Sequence, residues 1–213
     1  MSAPQSSGSE GAKPAARMRR PDRKRQLLAH AKKLFVTLGY QNTTTEKIAR
    51  AAGVSEPMLY RHFRSKKALF LEVLKEIRDV TLTRWQRASV DITDPLAKIH
   101  AIADWYLGST REHALEYRIM HRSLVETDDE EIFAMLRAFY LDSEALLAQI
   151  IAEGQQTGVF RRSLDPRVGA WELIRTALGY TLTMPLNPPV YQEPDYIPRA
   201  IDCLLHCLMK IDV

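Results

Sequence analysis

The sequence predicts an all-α protein. Its N-terminal part reads as a three-helix helix-turn-helix domain and the rest as a helical domain, about nine helices in all. Three observations carry this. Apolar residues recur at helical spacing through most of the chain, and no segment sustains the period-2 alternation of a half-buried strand. Helix-start signals punctuate the sequence at Thr43 with Glu46, at Ser55 with Pro57, at Ser65, at Asp94-Pro95 and at Asp165-Pro166. Charge is divided: residues 1–70 hold 15 Lys and Arg against 4 Asp and Glu, a net of +11, whereas residues 71–213 carry a net of −7. A basic module facing a polyanion, joined to an acidic module with another task, is the organisation this division suggests.

The elements follow in order. Residues 1–16 are rich in Ser, Gly, Pro and Ala and bury too little surface to offset the entropy of ordering, so 1–22 is expected to be a disordered basic arm. The stretch 17–25, RMRRPDRKR, leads into the first helix, where Leu27, Leu28, Ala31, Leu34, Phe35 and Leu38 share one face before Gly39 ends it. The capping-box spacing of Thr43 and Glu46 starts a second, short helix near Thr44. Gly53 permits a tight turn, Ser55 caps a third helix at about 56–62, and Pro57 sits in its first turn where its missing N–H is harmless. Small Ala49 and Ala52 let these helices approach closely, while Ile48, Val54, Leu59 and Phe63 supply a core. Two short helices joined by a small-residue turn in a basic region describe a helix-turn-helix, here 23–68. Further helices are expected from Lys66 into the high 80s, from Pro95 to about Gly108, at roughly 114–125, at 128–156, from Pro166 to about Met184, and at 195–210 after a Pro-rich loop; together they make a second domain, 69–213.

Composition excludes several classes. No apolar run approaches the roughly 18 residues that cross a bilayer, and the first 20 residues hold no apolar core of a secretory signal. Two Cys make no disulfide scaffold, so the expected location is the cytoplasm. G-x-S-x-G, P-loop, H-E-x-x-H and Rossmann glycine patterns do not occur, so no catalytic residues and no cofactor are assigned. Cys203, His206 and Cys207 are too few for a zinc site, which needs about four ligands, and the two cysteines read as small apolar interface residues instead.

Residues 43–70, TTTEKIARAAGVSEPMLYRHFRSKKALF, resemble the DNA-binding signature of the TetR family of one-component bacterial repressors. The Thr pair, Ile48-Ala49, Ala52-Gly53-Val54-Ser55, Tyr60, Phe63, Lys66 and Leu69 all fall at that family's spacing. Pro57-Met58 departs from it, where many members carry Gly and a small residue; this bears on the operator sequence rather than on DNA binding. The resemblance implies double-stranded, palindromic operator DNA as partner, with the helix at 56–62 in the major groove. Thr44, Tyr60, His62 and Lys66 correspond to the family's phosphate-contacting positions, and a hydroxyl, an imidazole, an ammonium and a helix N-terminus all suit phosphate oxygens. Lys47 and Lys67 stand nearby to assist. Ser55, Glu56, Met58 and Arg61 are the base-reading candidates: a carboxylate accepts from cytosine N4, and a thioether packs on a thymine methyl. Core packing for Tyr60 and solvation for Lys66 and Lys67 are the alternatives. The 17–25 stretch is either a minor-groove arm or a source of non-specific affinity.

For the remaining two-thirds the resemblance implies a homodimer through the last two helices and a small-molecule effector. Ala170, Ile174, Ala177 and Thr181, then Ile197, Ile201, Leu204, Leu205 and Leu208, are the candidates for pairing with a second copy; closing the monomer core is the alternative. Effector candidates are polar residues amid apolar stretches, His100, Asp104, Tyr117, His121 and Arg175, with Trp105, Met120, Phe139 and Trp171 as apolar walls. Trp171 with Arg175 and Tyr117 with His121 share helical faces, which suits an amphipathic ligand with an anionic end. The function implied is a repressor released from its operator by such a ligand. The alternative is a constitutive or architectural DNA-binding protein whose second domain only dimerises.

Overall fold

In the computed structural model, which describes residues 19–108, 111–126 and 128–208, α1 runs from Arg20 to Asn42. Its start places 20–22, expected in the arm, inside the helix: Pro21 fits a first turn and Asp22 pairs there with Arg25 at 2.5 Å. The expected disorder of 1–18 lies outside the described residues. The apolar stripe of α1 buries Leu27, Leu28, Ala31 and Phe35. At Gly39 the backbone turns to φ +79°, a conformation that favours glycine, and a Cβ there would stand 2.8 Å from the Arg122 guanidinium. One further turn, 40–42, follows the kink.

Helix α2 spans Thr45–Ala51 and α3 spans Glu56–Tyr60. The cap of α2 is Thr44, whose Oγ1 accepts from Lys47 N at 3.2 Å, one residue later than the capping-box reading. Thr43 is instead fully buried and donates to the Gly39 carbonyl at 2.7 Å, because α1 leaves that carbonyl without its helical partner. Gly53, at φ +66° with open space around its Cα, makes the turn. Ile48, Ala49, Leu59 and Phe63 close the core beneath it, continuous with an edge-to-face pair of Phe35 and Phe70 at 4.7 Å.

Helix α4, Lys66–Ser89, is capped by Ser65, whose hydroxyl accepts from Ala68 N at 3.0 Å. Its buried face runs from Leu69 to Ser89, against α1 at one end and α5 at the other. Helices α5 (Pro95–Gly108), α6 (Arg111–Glu126), α7 (Glu130–Gln156), α8 (Pro166–Thr183) and α9 (Tyr196–Leu208) complete the chain. Asp94, Asp129 and Asp165 cap α5, α7 and α8 as their carboxylates accept from the first free N–H groups. Two 3₁₀ turns, Met184–Leu186 and Pro189–Gln192, occupy the Pro-rich loop. Among the described residues there are nine α-helices and no strand, and no helix is long and apolar enough to cross a membrane. The α1–α4 region is tied to the later helices by charge: Lys32, also bonded to Glu76 of α4, bonds Glu116 of α6, Lys67 lies 3.2 and 3.1 Å from Asp129 and Glu131, and Arg78 pairs with Asp142.

Candidate nucleic-acid interface and internal cavity

The outward face of α2 and α3 gathers the residues singled out in the sequence. Thr44 and Ser55, the two N-caps, are both exposed, and the Ser55 hydroxyl makes no capping bond. Thr45 Oγ1 donates to Glu56 Oε1 at 2.5 Å and lies 3.3 Å from the Tyr60 hydroxyl, so a single threonine on α2 fixes two side chains of α3. Tyr60 is 49% exposed, which excludes the core role. Arg61 is exposed; Met58 and His62 are half-buried. His62 is held below the usual imidazole pKa by burial and then by the positive charges of Arg20, Arg23, Lys24 and Arg61. That set shows the first turns of α1 and the end of α3 sharing one electropositive surface.

Two lysines behave differently from the expectation. Lys66 donates to the carbonyls of Tyr40 at 3.0 Å and Gln41 at 3.4 Å and stands 4.4 Å over the Tyr40 ring. Desolvation lowers its pKa. It stitches the start of α4 to the end of α1. Lys67 faces α7 through its two carboxylates rather than the α2–α3 surface, while Lys47 donates to Asn42 O at 2.9 Å.

Helices α4, α5, α7, α8 and α9 line a half-open cavity of about 370 Å³. Trp85, Tyr106, Tyr180, Tyr191 and Tyr196 supply its aromatic walls, and Ile99, Ile102, Leu147, Leu173, Ile174, Ile197 and Leu204 its aliphatic ones. None of the nine residues put forward for a ligand lines it. His100 lies 3.2 Å from Asp202 and ties α5 to α9. Trp105 is covered by the Arg84 guanidinium at 5.2 Å. Met120 and Phe139 are core, and Tyr117 and His121 are buried one layer behind Tyr106. Trp171 and Arg175 share a face as expected, but it is the outward face of α8: the Trp171 indole donates to Glu144 at 2.8 Å and Arg175 pairs with Glu172. Helical spacing groups residues on a face without saying which way the face points. Among the described residues the lining contains no Asp, Glu, Lys, Arg or His, so the anionic ligand end has no counter-charge among them. Asp104 is exposed.

The residues expected at a dimer interface also sit differently. Ala170, Ile174, Thr181, Ile201 and Leu205 are buried within the monomer, and Ala177, Ile197 and Leu204 line the cavity; Leu208's side chain lies outside the described residues. The residues missed by sequence reasoning are Trp85, Tyr106, Tyr180, Tyr191 and Tyr196. The tyrosines flanking the Pro-rich loop were the available signal. Among the described residues no three His, Cys, Asp or Glu gather as metal ligands, and Cys207's side chain lies outside them.

Comparison with known proteins bears on this arrangement. Residues 27–73 match the family model of bacterial regulatory proteins, tetR family. The chain is 32% identical over 114 residues to the HTH-type transcriptional activator FasR of Mycolicibacterium smegmatis, 54% of this chain and 52% of FasR, so it spans about half the length of that relative. It is 30% identical over 150 residues to the HTH-type transcriptional repressor KstR2 of the same species, covering 67% of this chain and 70% of KstR2. A transcriptional regulator from Saccharomonospora viridis, solved in complex with choline, superposes with a TM-score of 0.78 at 21% identity, over 90% of this chain and all of that one. The match falls on the helices that carry the basic, hydroxyl-rich surface, and the KstR2 relationship extends well beyond them. The chain belongs to the TetR family of bacterial regulatory proteins: it is a DNA-binding transcriptional regulator and not an enzyme.

Proposed function

We propose that the protein is a homodimeric repressor of the cytoplasm whose two α2–α3 units read the half-sites of a palindromic operator and which a small molecule in the cavity releases. In this reading 23–68 is the DNA-binding unit and 69–213 the effector-binding and dimerisation unit. Thr44, Tyr60, His62 and Lys66 position the protein on phosphates, and Ser55, Glu56, Met58 and Arg61 read bases. The observation that carries the reading is α4. It is one unbroken 24-residue helix, about 36 Å long, capped beside α3 at Ser65 and walling the cavity at Trp85. A tilt at the Trp85 end displaces the other end, and with it the spacing of two half-sites about 34 Å apart.

A second copy fits the outer stripe of α8, where Val168, Trp171 and Leu182 are 52%, 36% and 59% exposed at helical spacing around Arg175. An apolar stripe of this kind on a helix usually marks an interface. The longer relative match is to a named repressor, which favours repression.

The test is selection of binding sites from random duplexes, followed by anisotropy titration of the selected site and sedimentation of the complex. The expected result is a two-fold symmetric site bound by a dimer, with log K falling by about 0.9 per phosphate neutralised as log salt rises. An asymmetric site bound by one chain, or affinity indifferent to salt, overturns the proposal. The architectural alternative predicts binding without an enriched sequence.

A further inference from the structure

The cavity and the layer behind it differ in polarity, and the difference points to a class of ligand. Among the described residues the cavity wall holds no Asp, Glu, Lys, Arg or His. Trp85 and Tyr106 belong to that wall and also to a buried polar cluster behind it. The Tyr106 hydroxyl lies 3.3 Å from His121 Nε2 and 3.1 Å from Thr181 Oγ1, and the rings of Tyr106 and Tyr117 have centroids 4.0 Å apart. Four atoms of this cluster are buried with no hydrogen-bond partner: the Thr81 hydroxyl, the Trp85 indole N–H, the Tyr117 hydroxyl and His121 Nδ1. Thr81 and Tyr117 are each 1% exposed. The Tyr117 hydroxyl is close to both Thr81 and Trp85 without hydrogen-bond geometry to either.

Buried polar atoms are nearly always paired, so four such atoms in one cluster, unpaired among the described residues, leave donors and acceptors open to an entering oxygen. The partner's charge follows from the surroundings. An ion would lose its hydration with no counter-charge in the wall. A quaternary cation would need ring faces spaced around it. Tyr180, Tyr191 and Tyr196 instead pack on one another with centroids 4.6 to 6.0 Å apart, leaving no room between them. The orphans themselves include an N–H that only donates and hydroxyls that donate or accept, a mixture matched by an oxygen able to accept and donate.

We propose that the cavity binds an uncharged, largely apolar molecule carrying a hydroxyl or carbonyl group, whose oxygen reaches past the edge of Trp85 to pair with the Trp85 N–H and the Tyr117 hydroxyl behind it. This rests on the cavity being the effector site, and two readouts keep the two claims apart. The probes are decan-1-ol, decanoate and decyltrimethylammonium, which share one chain and differ in charge. Each is titrated by tryptophan fluorescence, since Trp85 lies in the wall, and then added to the protein bound to its selected operator.

The expected result is that decan-1-ol binds at least about tenfold more tightly than either ion. The Tyr117→Phe variant is expected to bind decan-1-ol about five- to tenfold more weakly while its ligand-free melting temperature is unchanged or raised, because the substitution removes an orphan hydroxyl and keeps the ring. A hydroxyl with a purely structural role would instead lower the melting temperature. Equal or tighter binding of decanoate or of the cation, no binding of decan-1-ol, or wild-type affinity in Tyr117→Phe each overturns the proposal. Tight decan-1-ol binding that leaves operator affinity unchanged supports the ligand chemistry and removes the effector role proposed above.

Discussion

The α2–α3 unit and the cavity region are built on opposite principles. In the first, a few consecutive residues make a solid core, and the polar groups face water, held by one another: Thr45 by Glu56 and Tyr60, Lys66 by two carbonyls. In the second, five helices far apart in the chain line a hollow, and some polar groups behind its aromatic rings have no partner among the described residues. The contrast teaches where stability and where ligand response are stored. A surface that docks on a rigid polyanion gains from being preorganised, whereas a site that must change state on binding is drawn from less tightly packed parts of a fold.

The largest test of that contrast is packing. Leu59 is fully buried under α3, and Leu59→Ala is expected to lower unfolding stability by about 3 kcal/mol and to abolish operator binding. Leu204→Ala, on the cavity wall, is expected to cost about 1 kcal/mol because one side of that residue is already hollow. Denaturant titration of both variants checks the pair. Equal losses would mean that the second region is as solid as the first.

Acid is expected to act mainly on the second region. Burial lowers the His121 pKa to about 4, below the ordinary 6.5. Between those values the unfolded chain binds a proton that the folded chain refuses, so stability falls as pH drops from about 6.5 to 4, by up to about 3 kcal/mol. His62 shifts in the same direction but is near the surface and contributes less. Thermal melts from pH 7.5 to 4.5 are expected to show a steeper decline in the native protein than in His121→Gln. Parallel profiles would place the acid sensitivity elsewhere.

How much of each region was legible in the sequence follows from the same contrast. The α2–α3 unit is written in 28 consecutive residues, where spacing alone fixes which groups meet. Even there, Thr43, Thr44 and Thr45 are one residue type in a row with three different tasks: sealing a kinked helix end, capping α2, and holding α3. Which does which depends on where α1 stops, a tertiary fact. The cavity is assembled from residues 85 to 204, and no local pattern brings Trp85 to Tyr196. Tyr117 and His121 were found because polar residues on an apolar face are conspicuous, and they lie one layer behind the wall. Trp171 and Arg175 were drawn inward by a shared face that points to solvent, since α8 turns its small residues, Gly169 and Ala170, to the core.

A smaller effect distinguishes reading from positioning within the first region. Glu56→Ala is expected to change the preferred base at one operator position by roughly 1–3 kcal/mol. Its bond to Thr45 supplies the rival explanation, and Thr45→Val tests it by freeing the carboxylate while leaving it in place. Anisotropy on a panel of single-base operator variants reads both. Uniform loss on every variant with Glu56→Ala, reproduced by Thr45→Val, would make Glu56 a strut of α3 and not a base reader.

The smallest expected effect concerns Lys66, where preorganisation and docking meet in one side chain. An ammonium has three N–H donors, and here two are engaged by the Tyr40 and Gln41 carbonyls while the Tyr40 ring lies beneath the charge. That fixes where the third donor points and removes the rotamer entropy that a free lysine would lose on binding phosphate. Lys66→Ala is therefore expected to weaken binding on all sequences alike, by about tenfold, and to reduce the slope of log K against log salt by about one. Lys66→Gln separates the two duties, because an amide can still donate to one of the carbonyls but carries no charge to displace a counterion. The expected outcome is that Lys66→Gln restores the melting temperature lost in Lys66→Ala while its salt slope stays reduced. If affinity falls in Lys66→Ala with the slope unchanged, the lysine only braces α4 against α1, and the phosphate contact belongs to another cation of that surface.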